Sequence, residues 1–229
     1  PAFAAKADEK NLKLGGLSKQ RRLMNQWKDS PDQVIAMYPS WFAPEIADEN
    51  ESDRFYFVDF PLDDGIERAT SNEPLPTDRP LLVTTGSAHH GDRVFIDKLA
   101  DECQRRKIPL VVCCPSNPDL FADATNFRSV GYIPLGQWLP YCQALIHHGG
   151  VGTTSRAINA EIPQMIRPMA FDQHDHAQRI ERFGLGVWLR NDRELAAGLD
   201  QLLSMTNRSL PQYPLSFEET AAERAAKLI

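Results

Sequence analysis

The chain has no apolar run approaching the roughly 18 residues needed to cross a bilayer. Its opening, PAFAAKADEK, lacks both an initiator Met and the apolar stretch of a signal peptide. No membrane span and no secretory leader are expected, and a start at Pro1 points to a fragment or a processed chain. Cysteine is scarce. Cys103, Cys113, Cys114 and Cys142 form no Cys-x-x-Cys pair, and two of them adjoin inside an apolar run, which favours a reducing, cytoplasmic compartment over a disulfide framework. Basic residues are in deficit: 25 Lys and Arg against 31 Asp and Glu leave a net charge of -6, the wrong balance for a nucleic-acid binder. Two glycine motifs are also missing. Without Gly-x-Gly-x-x-Gly or Gly-x-x-x-x-Gly-Lys-Ser/Thr, nicotinamide dehydrogenases and P-loop nucleotidases fit poorly.

What the chain does have is enough apolar sequence, 42% of 229 residues, to bury a sizeable core. From residue 81 onward, short apolar runs at Leu81 to Thr85, Ile108 to Cys114, Val130 to Ile133, Ala144 to His147, Pro163 to Arg167 and Gly186 to Leu189 read as strands. Helical periodicity falls between most of them. Residues 92 to 106 set Ile96, Leu99 and Cys103 on one face, residues 173 to 183 set Ala177, Ile180 and Phe183, and residues 192 to 204 set Leu195, Leu199 and Leu202. The alternation predicts an α/β, Rossmann-like parallel sheet with helices on both faces. Ligands bind such sheets beyond the carboxyl ends of the strands. All six histidines, His89, His90, His147, His148, His174 and His176, fall at three of those ends.

Before residue 80 the pattern changes. NLKLGGLSKQRRLMNQWKDS is polar and partly helical, VIAMY reads as a strand, and NEPLPTDRP is a proline-punctuated linker. The expected division is 1–78, the tail of a preceding domain plus linker, and 79–229, a ligand-binding domain. Near the other end, Ser216 and Glu219 are spaced as a capping box for a last helix.

The most informative segment is LIHHGGVGTTS, residues 145–155, which runs from a strand through three glycines into a helix. Gly149, Gly150 and Gly152 let the backbone approach a bulky anion, while free amides and the positive end of the helix dipole attract negative charge. His148, Thr153 and Thr154 add donors, and a diphosphate suits the set. By itself such a turn is equally well a tight strand-to-helix connection.

Its surroundings narrow the choice. HHGGVGTTSRAINAEIPQMIRPMAFDQHDHAQRIERFGLGVWL resembles the signature region of the UDP-glycosyltransferase superfamily, most closely the sterol glucosyltransferases and bacterial antibiotic glycosyltransferases. LLVTTGS and GYIPLGQWLP precede it in the order that the family shows, so the resemblance covers about residues 81 to 204. Residues 31 to 78 resemble, more loosely, the end of the N-terminal domain and the linker. The resemblance implies the C-terminal, donor-binding half of a two-domain GT-B glycosyltransferase. It places His148, Gly149, Gly150, Gly152, Thr153 and Thr154 on the donor diphosphate, with Ser87 beside the same phosphates. Asp172 and Gln173 match the pair that bonds the hydroxyls of the transferred sugar, and Tyr132, Ile133 and Pro134 match the segment around the nucleobase.

The chain departs from the pattern at Arg156, where many members carry a ribose-binding Glu, and at Tyr132 in place of Trp; UDP- and TDP-sugars both stay open. The family's catalytic base is a His in the N-terminal domain, so no catalytic residue is expected here. The acceptor, a small molecule or a lipid, would be held by that missing domain, with the full-length protein at most peripheral to a membrane. No cofactor and no metal are implied.

His174 and His176, around Asp175, are read as solvated residues at a helix start rather than as metal ligands. His147 is expected to point into packing, and Trp138 and Trp188 to be core or interface aromatics. Two other functions compete: a nucleotide-sugar-binding subunit of a split glycosyltransferase, against which the remnant at residues 1–78 argues, and an epimerase of the same fold, for which grouped acid and base residues are not found.

Overall fold

The computed structural model describes residues 33–44, 55–62, 73–86, 92–115, 117–121, 123–214 and 220–228. It divides into two units, Pro1–Asp59 and Phe60–Ile229. The division thus falls earlier in the chain than residue 78. In the first unit, β1 (Val34–Ala36) pairs in parallel with β2 (Phe55–Phe57). Tyr38 packs against Phe42 and Phe57, at ring separations of 6.1 and 6.0 Å.

The second unit is built on six parallel strands: β3 (Leu81–Thr84), β4 (Leu110–Cys113), β5 (Arg128–Val130), β6 (Ala144–His147), β7 (Gln164–Ile166) and β8 (Gly186–Trp188). Their spatial order is β5-β4-β3-β6-β7-β8. Every residue of β3, β4 and β6 is buried, which is why these strands read as unbroken apolar runs instead of alternating ones. The period of two still sorts them. Leu81, Val83, Ala144 and Ile146 join one core, under α1 (Arg93–Arg106) and α5 (Leu195–Met205); Leu82 and Leu145 join a second, under α2 (Leu135–Trp138) and α3 (Val151–Asn159). Helices therefore cover both faces, and the Rossmann-like sheet read from the sequence is the one found.

Two of the helices start on side-chain caps. α1 opens on Asp92, whose carboxylate accepts from Phe95 N–H at 3.1 Å, and closes on Lys107 in the left-handed region, φ 56°. It buries Ile96, Leu99 and Cys103 as its spacing predicts, and α5 likewise buries Leu195, Leu199 and Leu202. In α4 (Gln173–Arg182), Ala177 and Ile180 point inward, while Phe183 lies just past the helix end against Tyr213. α6 (Ala221–Ala226) opens on a reciprocal capping box formed by Thr220 and Glu223. The pair read from the sequence, Ser216 and Glu219, lies outside the described residues.

The third strand differs from expectation. It spans Arg128–Val130 and stops before Gly131, leaving Ile133 buried in the following loop. Arg128 hides this start because it is charged. Its guanidinium pairs with Glu73 at 2.7 Å and lies 5.2 Å from the ring centre of Trp138, so its charge is matched and its stem covered. Trp138 itself is core, 1% exposed.

Candidate functional site

The connections leaving β3 and β6 run to opposite sides of the sheet, which places the topological switch point between these two strands. At their carboxyl ends two glycine loops meet around one imidazole. A Cβ on Gly86, after β3, would lie 2.4 Å from His148 Cε1, and one on Gly150, after β6, 2.8 Å from His148 Nε2. His148 is thus held in a slot that only side-chain-free positions leave open. Ser87, His89 and His90 lie outside the described residues.

Gly149 is fixed from both sides. Its φ is 97°, a region closed to L side chains, and a Cβ there would meet Ile166 Cγ2 at 2.7 Å. Its N–H donates to His147 Nδ1 at 3.0 Å, and its carbonyl accepts from His176 Nδ1 at 2.7 Å. These bonds determine the tautomers. His147 accepts at Nδ1 and so donates from Nε2 to Gln164 Oε1 at 2.8 Å, and the Gln164 amide in turn donates to the Thr154 carbonyl at 3.4 Å. Burial pushes the His147 imidazole down to about 3. His147 points into packing, as expected, and it supports the turn from beneath.

That depressed value has a measurable consequence. The unfolded ring takes up a proton near its ordinary value of about 6.5 whereas the folded ring does not, so this residue's contribution to stability falls as pH drops from about 6.5 towards 3. Melting temperatures recorded across that window are expected to decline, with a shallower slope in His147→Gln. An unchanged slope in the variant would mean that the folded ring titrates normally.

The helix that follows the turn leaves the amides of Val151 and Gly152 without an intrahelical acceptor, at the positive end of α3. Gly149 N–H, by contrast, is engaged by His147, so the amides able to meet an anion begin after it. The two threonines separate. Thr153 is half-buried, but Thr154 is fully buried among Ser155, Ala157 and Ile158, and its hydroxyl has no accessible surface. One residue is 100° of helix, enough to turn one hydroxyl to the surface and its neighbour inward. The diphosphate contact read for Thr154 is therefore not available in this geometry. Arg156 folds back over the first turn, donating to the Gly152 carbonyl at 2.7 Å, and burial pushes its guanidinium down.

The expected sugar pair separates too. The Asp172 side chain is 63% exposed at the start of α4. Gln173 is 8% exposed, and its side-chain carbonyl accepts from the N–H groups of Met169 and Ala170 at 2.8 and 3.0 Å, closing the loop after β7. At the end of β5, Tyr132 is exposed while Ile133 and Pro134 are buried, so Ile133 can offer a ligand only its backbone. His176 is not a solvated residue: it is 5% exposed and bonded to the turn, whereas His174 lies 6.4 Å from the Trp188 ring. Among the described residues no group of three His, Cys, Asp or Glu side chains is arranged to hold a metal ion.

A cavity of about 200 Å³ adjoins the turn, walled by Val83, Phe95, Ile96 and Ile146, with His148, Arg167 and Met169 at its edge. Arg167 was not singled out in the sequence. It bonds both oxygens of Asp192 at 2.7 and 2.9 Å and Asp92 at 2.9 Å, with its guanidinium 4.3 Å from the Phe95 ring centre. Burial opposes its charge, but the bonds to Asp192 and Asp92 outweigh that and raise its pKa. Arg167 so ties the end of β7 to the start of α1. Its only sequence signal was a cation closing an apolar strand.

Residues 105–226 match the family described as erythromycin biosynthesis protein CIII-like, C-terminal domain. An aclacinomycin-T 2-deoxy-L-fucose transferase of Streptomyces galilaeus is 35% identical over 132 residues, 52% of this chain and 28% of that protein. A sterol 3-beta-glucosyltransferase of Leptosphaeria maculans is 51% identical over 47 residues, 20% of this chain and 3% of that protein. Of the solved structures, the glycotransferase of kitacinnamycin shares the fold at a TM-score of 0.63, covering 99% of this chain and 57% of its own, with 17% identity. The chain thus spans little more than a quarter of the first relative's length. The family match takes in more than half of the chain and includes the glycine turn, so this protein belongs to the erythromycin biosynthesis protein CIII-like C-terminal domain family, within the UDP-glycosyltransferase superfamily.

Proposed function

We propose that the chain is the donor-binding half of a glycosyltransferase, holding a UDP- or TDP-linked sugar for inverting transfer of a hexose to an acceptor hydroxyl. The observation that carries this reading is the glycine turn at the switch point, which opens α3 with uncapped amides beside His148. These amides, His148 and Thr153 take the diphosphate. Asp172 takes sugar hydroxyls, and the exposed Tyr132 ring takes the nucleobase.

In the transfer, the acceptor oxygen bonds to the anomeric carbon as the bond to the diphosphate oxygen breaks, and the acceptor proton passes to a base. The turn stabilises the charge that develops on the leaving diphosphate, as an oxyanion hole does. The base and the acceptor, a small molecule or a lipid, belong to a preceding domain, and this chain alone is expected to transfer no sugar. The buried Cys103, Cys113 and Cys142 thiols, pushed up to about 12 by burial, are too weakly acidic to serve as nucleophiles.

A calorimetric panel of UDP, TDP, GDP and their sugars tests the reading. Weak binding of UDP or TDP, unchanged by chelator, is expected, because amide donors and not a bridging cation meet the phosphates. A large loss of affinity on chelation would overturn the metal-independent form. Sugar transfer by this chain well above background hydrolysis would overturn its proposed dependence on a second domain.

A further inference from the structure

α4 carries a residue that touches both parts of the proposed donor site. The His176 ring is 5% exposed and lies between the phosphate turn and the acidic residue at the start of its own helix. Its Nδ1 sits 2.7 Å from the Gly149 carbonyl, and since a carbonyl only accepts, this nitrogen carries the proton. Its Nε2 lies 3.8 Å from Asp172 Oδ2, beyond direct hydrogen-bond reach and an ion pair only when the ring carries a proton on both nitrogens. The His176 backbone N–H donates to the Asp172 carbonyl at 3.0 Å, the i to i−4 bond of the helix start, which holds the Asp172 backbone to α4. Gly149 has no alternative position to relax into, because its N–H is held by His147 and Ile166 closes the space where a Cβ would go.

Resting on the donor-site reading above, we infer that His176 is a positioning residue that couples the diphosphate turn to the sugar-binding carboxylate, so that the two halves of a nucleotide sugar bind cooperatively. The ring touches neither half itself. It sets the spacing between the turn's amides and Asp172, and an intact nucleotide sugar, whose diphosphate and hexose are joined at a fixed distance, senses that spacing in a way that a plain nucleotide cannot.

The test uses this 229-residue chain, with UDP and UDP-glucose, and TDP and TDP-glucose, as calorimetric probes. The amide nitrogen of an asparagine occupies nearly the place of an imidazole Nδ1, so His176→Asn keeps a donor on the Gly149 carbonyl and removes the edge that faces Asp172. That variant is expected to bind the plain nucleotide within about twofold of wild type while losing up to about fivefold of the extra affinity contributed by the sugar, the span of a partly exposed ion pair. His176→Ala is expected to weaken both ligands. In an Asp172→Ala background the loss caused by His176→Asn should disappear, since the two residues act on one contact. A ratio of nucleotide-sugar to nucleotide affinity that is unchanged in His176→Asn, or a loss that persists undiminished without Asp172, would overturn the coupling while leaving the donor site standing. Binding of no nucleotide by the wild-type chain would overturn both.

Discussion

Replacing Gly149 by alanine is expected to destabilise the domain by roughly 2–5 kcal/mol, lowering its melting temperature by on the order of 10 °C, and to abolish nucleotide binding. Two costs combine. The backbone at φ 97° lies where an L side chain is strained, and the new methyl would sit 2.7 Å from Ile166 Cγ2 and 3.2 Å from the Gln173 carbonyl. Neither neighbour can give way easily, since Ile166 is fully buried in the sheet and the Gln173 carbonyl belongs to the first turn of α4. Gly150→Ala is the informative control. Its φ of -63° is ordinary, and the nearest neighbour of its methyl would be the His148 ring, 2.8 Å away at Nε2. This variant should melt near wild type and still lose nucleotide affinity, because the imidazole is driven from its slot. If Gly149→Ala melts within about 2 °C of wild type, the turn is not the rigid element described.

Exchanging His148 and Asp172 for alanine, one at a time, should separate the two ends of the donor. His148→Ala removes a donor beside the uncapped amides and is expected to weaken plain nucleotide diphosphate and nucleotide sugar alike, each by roughly 1–3 kcal/mol, the range for a hydrogen bond to a charged group. Asp172→Ala should spare the plain nucleotide and weaken only the sugar-bearing donor, since a carboxylate that is 63% exposed contributes nothing to a ligand without hydroxyls in its reach. Were both residues merely holding their loops in place, the melting temperature would fall and the ratio of the two affinities would stay constant. Titration of both ligands against both variants distinguishes these outcomes, and a constant ratio in Asp172→Ala would remove the sugar assignment.

The layout of the sheet was legible because it depends on local pattern. Predominantly apolar stretches such as Leu81–Thr84 and Ala144–His147 declare strands buried on both faces, and the spacing of Ile96, Leu99 and Cys103 declares a helix with one covered face. The site was legible where it consists of backbone, in the glycines that let β6 turn into α3. Side-chain destinations were less so. Thr153 and Thr154 are alike as letters, as are His174 and His176, yet in each pair one side chain is accessible or loosely packed and the other is buried with an assigned or enclosed position.

The sequence by itself therefore determined the strand and helix order, the parallel sheet and the place of the glycine turn, since hydrophobic period and glycine act within a few residues of the chain. Tertiary structure alone decided what surrounds that turn. His147, Gln164 and His176 come from β6, β7 and α4, and they converge on Gly149 and Thr154 only once the strands are in register. Gln173 closes its own loop, and Arg167 meets Asp92 in the lining of the cavity. The contacts of His147, Gln164 and His176 join polar groups in a space that the packed sheet has emptied of water. A buried polar group must then find its partner among whatever the fold brings near, and that choice is not written in the spacing of residues along the chain.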